Sequence, residues 1–415
     1  MTHDRSPAQT DAPDDDIFQF SQRMFRLPPY LFGSINRLKD QKRRAGIDII
    51  DMAMGNPTDP TPEPIVEKLC EVVRDPRNHR YSSAAGIYNL RREVAKFYKT
   101  WWDVDLDPES EVIATIGSKE GFSHLCLALL GPGDTAFVPT PSYPIHAYGV
   151  VIAGGNYLGV PVSSDEAFLR HVDESCRTLT PAPKVLFVNY PHNPSCHTVE
   201  PEFFVDVVRL AKRHRLIVVH DFAYGQITFD GYRAPSFLST PGAKEIGCEF
   251  TTMSKSFNMA GWRIGYCVGN RRIISALSAI KGYYDYGIFQ AIQIASIVGL
   301  RHCGELIEKQ AQRYQERRDV LLDGLERVGW TGIEKPRGGM FVWAQIPEEF
   351  RGLGSMEFAR RLMEDAEVAV APGLGFGPDG EGFVRIALIE NRQRLQQAVR
   401  QIGRAFARWR TDAPA

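Results

Sequence analysis

Five short apolar runs in this chain are each followed by residues whose side chains could do chemistry together. Ser118-Lys119 follows Glu111–Ile116, and Ser142-Tyr143 follows Thr135–Val138. Asn193-Pro194 follows Val185–Tyr190, Asp221-x-x-Tyr224 follows Leu216–His220, and Ser254-Lys255 follows Phe250–Met253. A lysine amine can attack a carbonyl and afterwards carry a proton. A carboxylate can hold a cationic partner, while a phenol and an amide supply hydrogen bonds. A helix opening at Ser118 offers unpaired backbone N–H groups to an anion. Together these are the parts of a covalent, acid–base site for a small anionic molecule.

Such groups meet only if the runs are strands of one parallel sheet, whose carboxyl ends share an edge. The runs are rich in β-branched and apolar residues, and helical patterns separate several of them, as in Glu200–Arg213. Pro62–Arg74 carries Ile65, Val66, Leu69, Val72 and Val73 at helical spacing. This alternation predicts a fold of the α/β class, with a mostly parallel central sheet covered by helices on both faces. Near Ile280 the texture changes to one long helical stretch, Gln290 to Val328. Beyond it, Met340–Gln345 and Gly382–Ala387 read as strands and Met356–Ala366 as a helix, before a terminal helix. That is a smaller α+β domain. The expected division is a disordered polar tail (1–18), an N-terminal arm joining the small domain (19–60), a large domain (61–290), and the connecting helix with the rest of the small domain (291–415).

The segment from Thr252 to Gly265, TMSKSFNMAGWRIG, resembles the cofactor-lysine motif of class I and II aminotransferases, which are fold-type-I enzymes dependent on pyridoxal 5'-phosphate. The resemblance extends over nearly the whole chain beyond the tail. It is carried by the ordered set Tyr81, Ser118-Lys119, Tyr143, Asn193-Pro194, Asp221-x-x-Tyr224, Lys255 with Arg263, and Arg385. One departure is Thr252, where many members have serine; its hydroxyl makes the same hydrogen bond. The resemblance implies that Lys255 condenses with the cofactor aldehyde and then moves the substrate proton. Asp221 would keep the pyridine nitrogen protonated, with each pKa unit of preference representing about 1.4 kcal/mol. Asn193 and Tyr224 would bind the phenolate oxygen and Tyr143 would stack on the ring. Ser118, Lys119, Thr252, Ser254 and Arg263 would hold the phosphate, with Tyr81 lent by the second subunit of a homodimer. Arg385 would grip the substrate α-carboxylate beside Gly55, Asn56 and Asn193.

Within that family the chain is similar to bacterial alanine transaminases in Arg26–Tyr30, Ser142–His146, Asp285–Gly287 and Ala387–Arg392. The expected reaction is a ping-pong exchange of L-alanine and 2-oxoglutarate for pyruvate and L-glutamate. Gly282–Leu300 lacks the arginine that aspartate-specific enzymes place there; it offers aromatic residues that, with Tyr30 and Phe32, suit a small side chain. A transaminase of methionine, aromatic, aspartate or diaminopimelate type is an alternative, as is a carbon–sulfur lyase or synthase on the same scaffold. A non-catalytic regulator is disfavoured because the short tail leaves no room for a DNA-binding domain. His220 is expected to be a buried partner near Asp221, and His192 and His197 to lie on a loop surface.

The charges nearly cancel, with 49 basic and 50 acidic residues, so nothing points to nucleic acid or an anionic membrane. Seven scattered cysteines without CxxC spacing argue against a metal site and for reduced thiols. No signal-like N-terminus or spanning run is seen, and a cytoplasmic location is expected.

Overall fold

A computed structural model describes residues 20–28 and 31–412 of the chain. Among them are twelve strands: β1 (Ile50–Asp51), β2 (Val112–Thr115), β3 (Thr135–Thr140), β4 (Asn156–Pro161), β5 (Val185–Asn189), β6 (Ile217–Asp221), β7 (Gly247–Thr252), β8 (Gly265–Gly269), β9 (Phe341–Gln345), β10 (Val368–Ala369), β11 (Ala371–Pro372) and β12 (Phe383–Ala387). Seven of them form one sheet in the order β2-β8-β7-β6-β5-β3-β4. All pairs in it are parallel except the two made by β8, which runs against both neighbours. The sheet is the expected α/β layer.

Both faces of this sheet are buried, and the strands show it residue by residue. Val185 and Phe187 enter one apolar cluster, whereas Leu186 and Val188 enter the other. A period of two sends successive side chains to opposite faces, so a strand covered on both sides is apolar over most of its length. Helices such as Ser118–Leu129 and Pro201–His214 bury their apolar stripes against these faces.

A third apolar cluster lies apart from the sheet. It joins Ile35, Ile49, Ile50 and Met52 to Tyr314, Trp330, Phe358 and Phe406. Antiparallel β11-β12-β9 and the parallel pair β1-β10 run through it. The strands at 340–345 and 382–387, and the helix at 356–366, fall within a residue or two of their expected places.

Three expectations change. The long helical stretch divides into Gln290–His302 and Gly304–Arg327, with Cys303 at the break. Gly304 favours that interruption because glycine is a weak helix former with many competing backbone conformations. Strand β4 escaped notice because it is a half-exposed edge containing Gly159. Strand β8 escaped notice because it is short and has glycine at both ends. Tyr30 and the tail at 1–18 lie outside the described residues. Among the described residues no helix is long and apolar enough to cross a membrane.

Candidate active site

The sheet topology gathers the chemistry. Parallel β2, β3, β5, β6 and β7 all end at one edge, and antiparallel β8 begins there, Gly265 pairing with both Thr252 and Thr115. Lys255, just after β7, and Arg263, just before β8, therefore reach the same place. A cavity of about 680 Å³ opens at that edge. Its wall includes Gly55, Asn56, Ser118, Lys119, Tyr143, Asn193, Asp221, Tyr224, Thr252, Ser254, Lys255, Arg263 and Arg385. Every described residue expected at the site is thus brought together except Tyr81. That side chain is 90% exposed, lies outside the cavity wall, and packs its ring 5.4 Å from the ring of Tyr286.

Lys255 sits in a single helical turn, Met253–Ser256, capped by the Thr252 hydroxyl, which accepts from Ser254 N–H at 3.1 Å. The same hydroxyl lies 3.0 Å from the Ile264 carbonyl, tying the lysine turn to the start of β8. Lys255 Nζ donates to the Gly55 carbonyl at 2.7 Å. Burial chiefly, then the charges of Arg385 and Arg263, lower its pKa to about 8, against the opposing pull of Asp221.

Asp221 closes β6. Its Oδ2 is 2.9 Å from His146 Nε2, and its Oδ1 accepts from Ala223 N–H at 3.3 Å. Asn189 ends the neighbouring strand; its amide donates to the Asp221 carbonyl at 2.7 Å and accepts from Asn193 N–H at 2.9 Å. The Asn193 side chain then faces two ways. Its Nδ2 donates to the Tyr224 hydroxyl at 3.4 Å, and its Oδ1 accepts from Arg385 Nη1 at 2.8 Å. Burial holds the Tyr224 phenol well above its usual pKa, so the hydroxyl keeps its proton.

Arg385 lies mid-strand in β12, 5% exposed, its guanidinium 4.0 Å from the ring centre of Phe341 and 4.6 Å from that of Phe376. Its Nη2 donates to the Ala53 carbonyl at 3.0 Å, in the segment leading to Gly55. A Cβ at Gly55 would stand 2.6 Å from the Phe341 ring, so only glycine lets that backbone pass.

At the other end, the helix from Ser118 starts without a side-chain cap. Gly117 precedes it at φ +77°, and a Cβ there would lie 2.3 Å from Arg263 Nη2. Arg263 itself adopts φ +55°, which turns its guanidinium under the Ala260 carbonyl at 2.9 Å. Lys119 Nζ sits 5.9 Å above the Tyr143 ring.

These residues fit pyridoxal phosphate. One end collects donors around an open helix start and a cradle that a Cβ would fill, as a phosphate dianion requires. The other presents a carboxylate on a buried histidine, as a protonated ring nitrogen requires, with an amine of lowered pKa between them. Sequence reasoning missed His146, Asn189, Lys39, Arg43, Asp51, Phe341, Phe376 and Glu390. A lone histidine in Ser142–His146 carries no signal of its partner at Asp221; Asn189, Asp51 and Glu390 stand within or beside quoted stretches without a pattern that marks them, and Lys39, Arg43, Phe341 and Phe376 lie outside any motif. His220 is buried as expected, but against Glu249 Oε2 at 2.8 Å. His192 is not on the surface: it is 1% exposed, and burial lowers its pKa to about 3. Glu120, His124 and Asp285 place ligand-type atoms within 4.8 Å of one another, yet Lys281 Nζ reaches Asp285 at 2.8 Å and Glu120 at 3.2 Å and already balances them.

Comparison with known proteins agrees with this geometry. The family model described as "Aminotransferase class I and II" matches residues 47–402. Glutamate-pyruvate aminotransferase AlaC of Escherichia coli is 50% identical over 384 residues, spanning 92% of this chain and 93% of that protein. An LL-diaminopimelate aminotransferase of Moorella thermoacetica is 42% identical over 390 residues, spanning 94% and 99%. The substrate-bound structure of BacF from Bacillus subtilis superposes with a TM-score of 0.87 at 33% identity, covering 94% of this chain and 98% of that one. With its family model matched over most of its length and its strand-end residues gathered in one cavity, the chain belongs to the class I and II aminotransferases, which work with pyridoxal phosphate.

Proposed function

We propose that this aminotransferase exchanges L-alanine and 2-oxoglutarate for pyruvate and L-glutamate, in two half-reactions at the cavity lined by Lys255. The observation that carries the alanine reading is the 50% identity to AlaC over 92% of the chain. When bound, pyridoxal phosphate supplies an aldehyde that captures the amino group and a ring that accepts the electron pair left at Cα.

The protein's own part follows from its contacts. Arg385, held by Asn193 and the Ala53 carbonyl, presents a rigid fork to the substrate α-carboxylate. Lys255 Nζ would take the proton from substrate Cα and pass it to the cofactor's aldehyde carbon, and would run the same transfer in reverse for the oxo acid; an amine with a pKa of about 8 suits both directions near neutrality. Asp221, oriented by His146, holds a proton on the ring nitrogen. Tyr224 and Asn193 would donate to the ring hydroxyl oxygen, and Tyr143 would hold the ring. Ser118, Lys119, Thr252, Ser254 and Arg263 bind the phosphate, with Gly55 and Asn56 closing the carboxylate side.

We assign Tyr81 to the phosphate of a second copy, in a homodimer. Its exposure, beside the exposed Tyr283, Tyr284 and Tyr286, favours that role. Seven free cysteines suit a reducing cytoplasm. A diaminopimelate-type substrate is the second reading, favoured by the Moorella relative and by Asp51 and Glu390 in the cavity wall.

Absorbance titration of the holoenzyme with single amino acids tests the proposal. L-alanine should abolish the visible cofactor band, and pyruvate or 2-oxoglutarate should restore it. A band that alanine leaves unchanged and diaminopimelate abolishes would replace the alanine reading with the second.

A further inference from the structure

A dicarboxylate such as 2-oxoglutarate needs a second cation besides the one that takes its α-carboxylate. Among the described residues six cationic side chains line the cavity: Lys39, Arg43, Lys119, Lys255, Arg263 and Arg385. Lys255 and Arg385 have their tasks, while Arg263 and Lys119 stand at the phosphate end and over Tyr143. Lys39 is buried and already spent, donating to Asn36 Oδ1 at 3.0 Å and to Asp51 Oδ2 at 2.7 Å.

Arg43 differs from all of these. It lies in the last turn of helix Leu31–Arg44, and its side chain is 48% exposed. Its only ionic contact among the described residues is Nη2 to Asp51 Oδ2 at 3.6 Å, too long for a hydrogen bond. That oxygen is already bonded to Lys39, and Asp51 Oδ1 accepts from Ala53 N–H at 3.2 Å. The Asp51 carboxylate therefore does not need Arg43, and, beyond a pull at a distance on Asp48, the guanidinium keeps its planar fork for another carboxylate. A basic residue in a last turn also complements the helix dipole, but Lys42 and Arg44 serve that purpose without lining the cavity. The segment after Asp51 runs through Ala53, whose carbonyl accepts from Arg385, to Gly55, whose carbonyl accepts from Lys255. Arg43 thus stands along the same wall as the reacting amine and the α-carboxylate fork.

We infer that Arg43 binds the distal carboxylate of the dicarboxylic substrate, 2-oxoglutarate or glutamate, and so sets the specificity of one half-reaction. This rests on the transaminase reading above. Glu390 opposes it: it lines the same cavity, feels the charge of Asp51, and makes no hydrogen bond or ion pair among the described residues. A distal carboxylate would feel that acid as repulsion, so the two residues should act in opposite directions.

The test uses the holoenzyme and two competitors, glutarate and butyrate, with binding measured by calorimetry. Arg43→Gln should weaken glutarate by about tenfold or more, the loss of a charge-assisted fork, and weaken butyrate far less. It should also lower kcat/KM for glutamate about tenfold more than kcat/KM for alanine. Glu390→Gln should bind glutarate more tightly. Equal weakening of both competitors by Arg43→Gln, no weakening, or loss of glutarate binding in Glu390→Gln overturns the inference. If the wild type transaminates alanine but binds glutarate no better than butyrate, the inference falls and the transaminase reading stands. If it transfers no amino group from any amino acid, that reading fails and takes the inference with it.

Discussion

In the proposed reaction Lys255 is the residue on which protonation and capture meet. Burial and two arginines favour its neutral amine in the folded chain above about pH 8, whereas a solvated lysine stays protonated to about pH 10.4. Only the neutral amine attacks an aldehyde. Reconstitution of stripped enzyme with pyridoxal phosphate should therefore slow about tenfold per pH unit below about 8 and level off above it. A stopped-flow record showing a midpoint near 10 would contradict the assigned environment. Lys255→Ala should keep the fold, by circular dichroism, and lose both the visible band and turnover. Asp221→Ala should bind cofactor more weakly and lose on the order of 100-fold in rate, as when a preorganised electrostatic partner is removed. Arg385→Ala should raise the apparent dissociation constant for amino acids about 10- to 100-fold, read from the same absorbance titration. The types of these three residues were readable from sequence, because each follows an apolar run or sits in a short motif. Their partners were not. That His146 meets Asp221, or that Asn193 joins Tyr224 to Arg385, depends on side chains up to 192 positions apart.

At the scale of elements, the turn from Thr115 into the helix at Ser118 is under close steric control. Gly117 has φ +77° and touches the Arg263 guanidinium where a Cβ would be. Alanine there would cost about 1–2 kcal/mol in backbone strain and would displace Arg263. We expect Gly117→Ala to release pyridoxal phosphate faster than wild type during dialysis while leaving the far-ultraviolet spectrum unchanged. A variant that retains cofactor as wild type does would show that the cradle is not needed. Buried β5 and β6 could be located from sequence because Val185–Val188 and Ile217–Val219 are unbroken apolar runs; β7 was found only in its second half, because the buried Glu249 interrupts it. Strands β4 and β8 lacked that signature, one being half-exposed and the other flanked by glycines. The helix break at Cys303 likewise leaves no gap in the helical pattern on either side.

For the molecule as a whole, the exposed tyrosines at 81, 283, 284 and 286 predict how two chains cooperate. If Tyr81 serves the neighbouring copy, Tyr81→Ala and Lys255→Ala chains should complement each other. A mixed dimer would carry one site with both residues intact. Co-refolding the impaired Tyr81→Ala chain with the inactive Lys255→Ala chain should restore activity, and sedimentation should give a dimer mass; a mixture no more active than its parts would place Tyr81 outside the site. The general architecture was legible from the alternation of runs. An arm at 19–60 joining the small domain was expected, but which of its side chains share a core with Ile402 and Phe406, namely Ile35, Ile49 and Met52, was not legible, because no local pattern reports which distant surface an apolar residue will meet. The reversed direction of β8 has a wider implication. Had it run parallel, its start would lie at the opposite edge, five residues or roughly 16 Å away. Instead the chain turns straight back, and Lys255 and Arg263 ride on one short loop. An insertion or deletion between them would shift both at once, so the length of that loop is as much inherited machinery as the two side chains it carries.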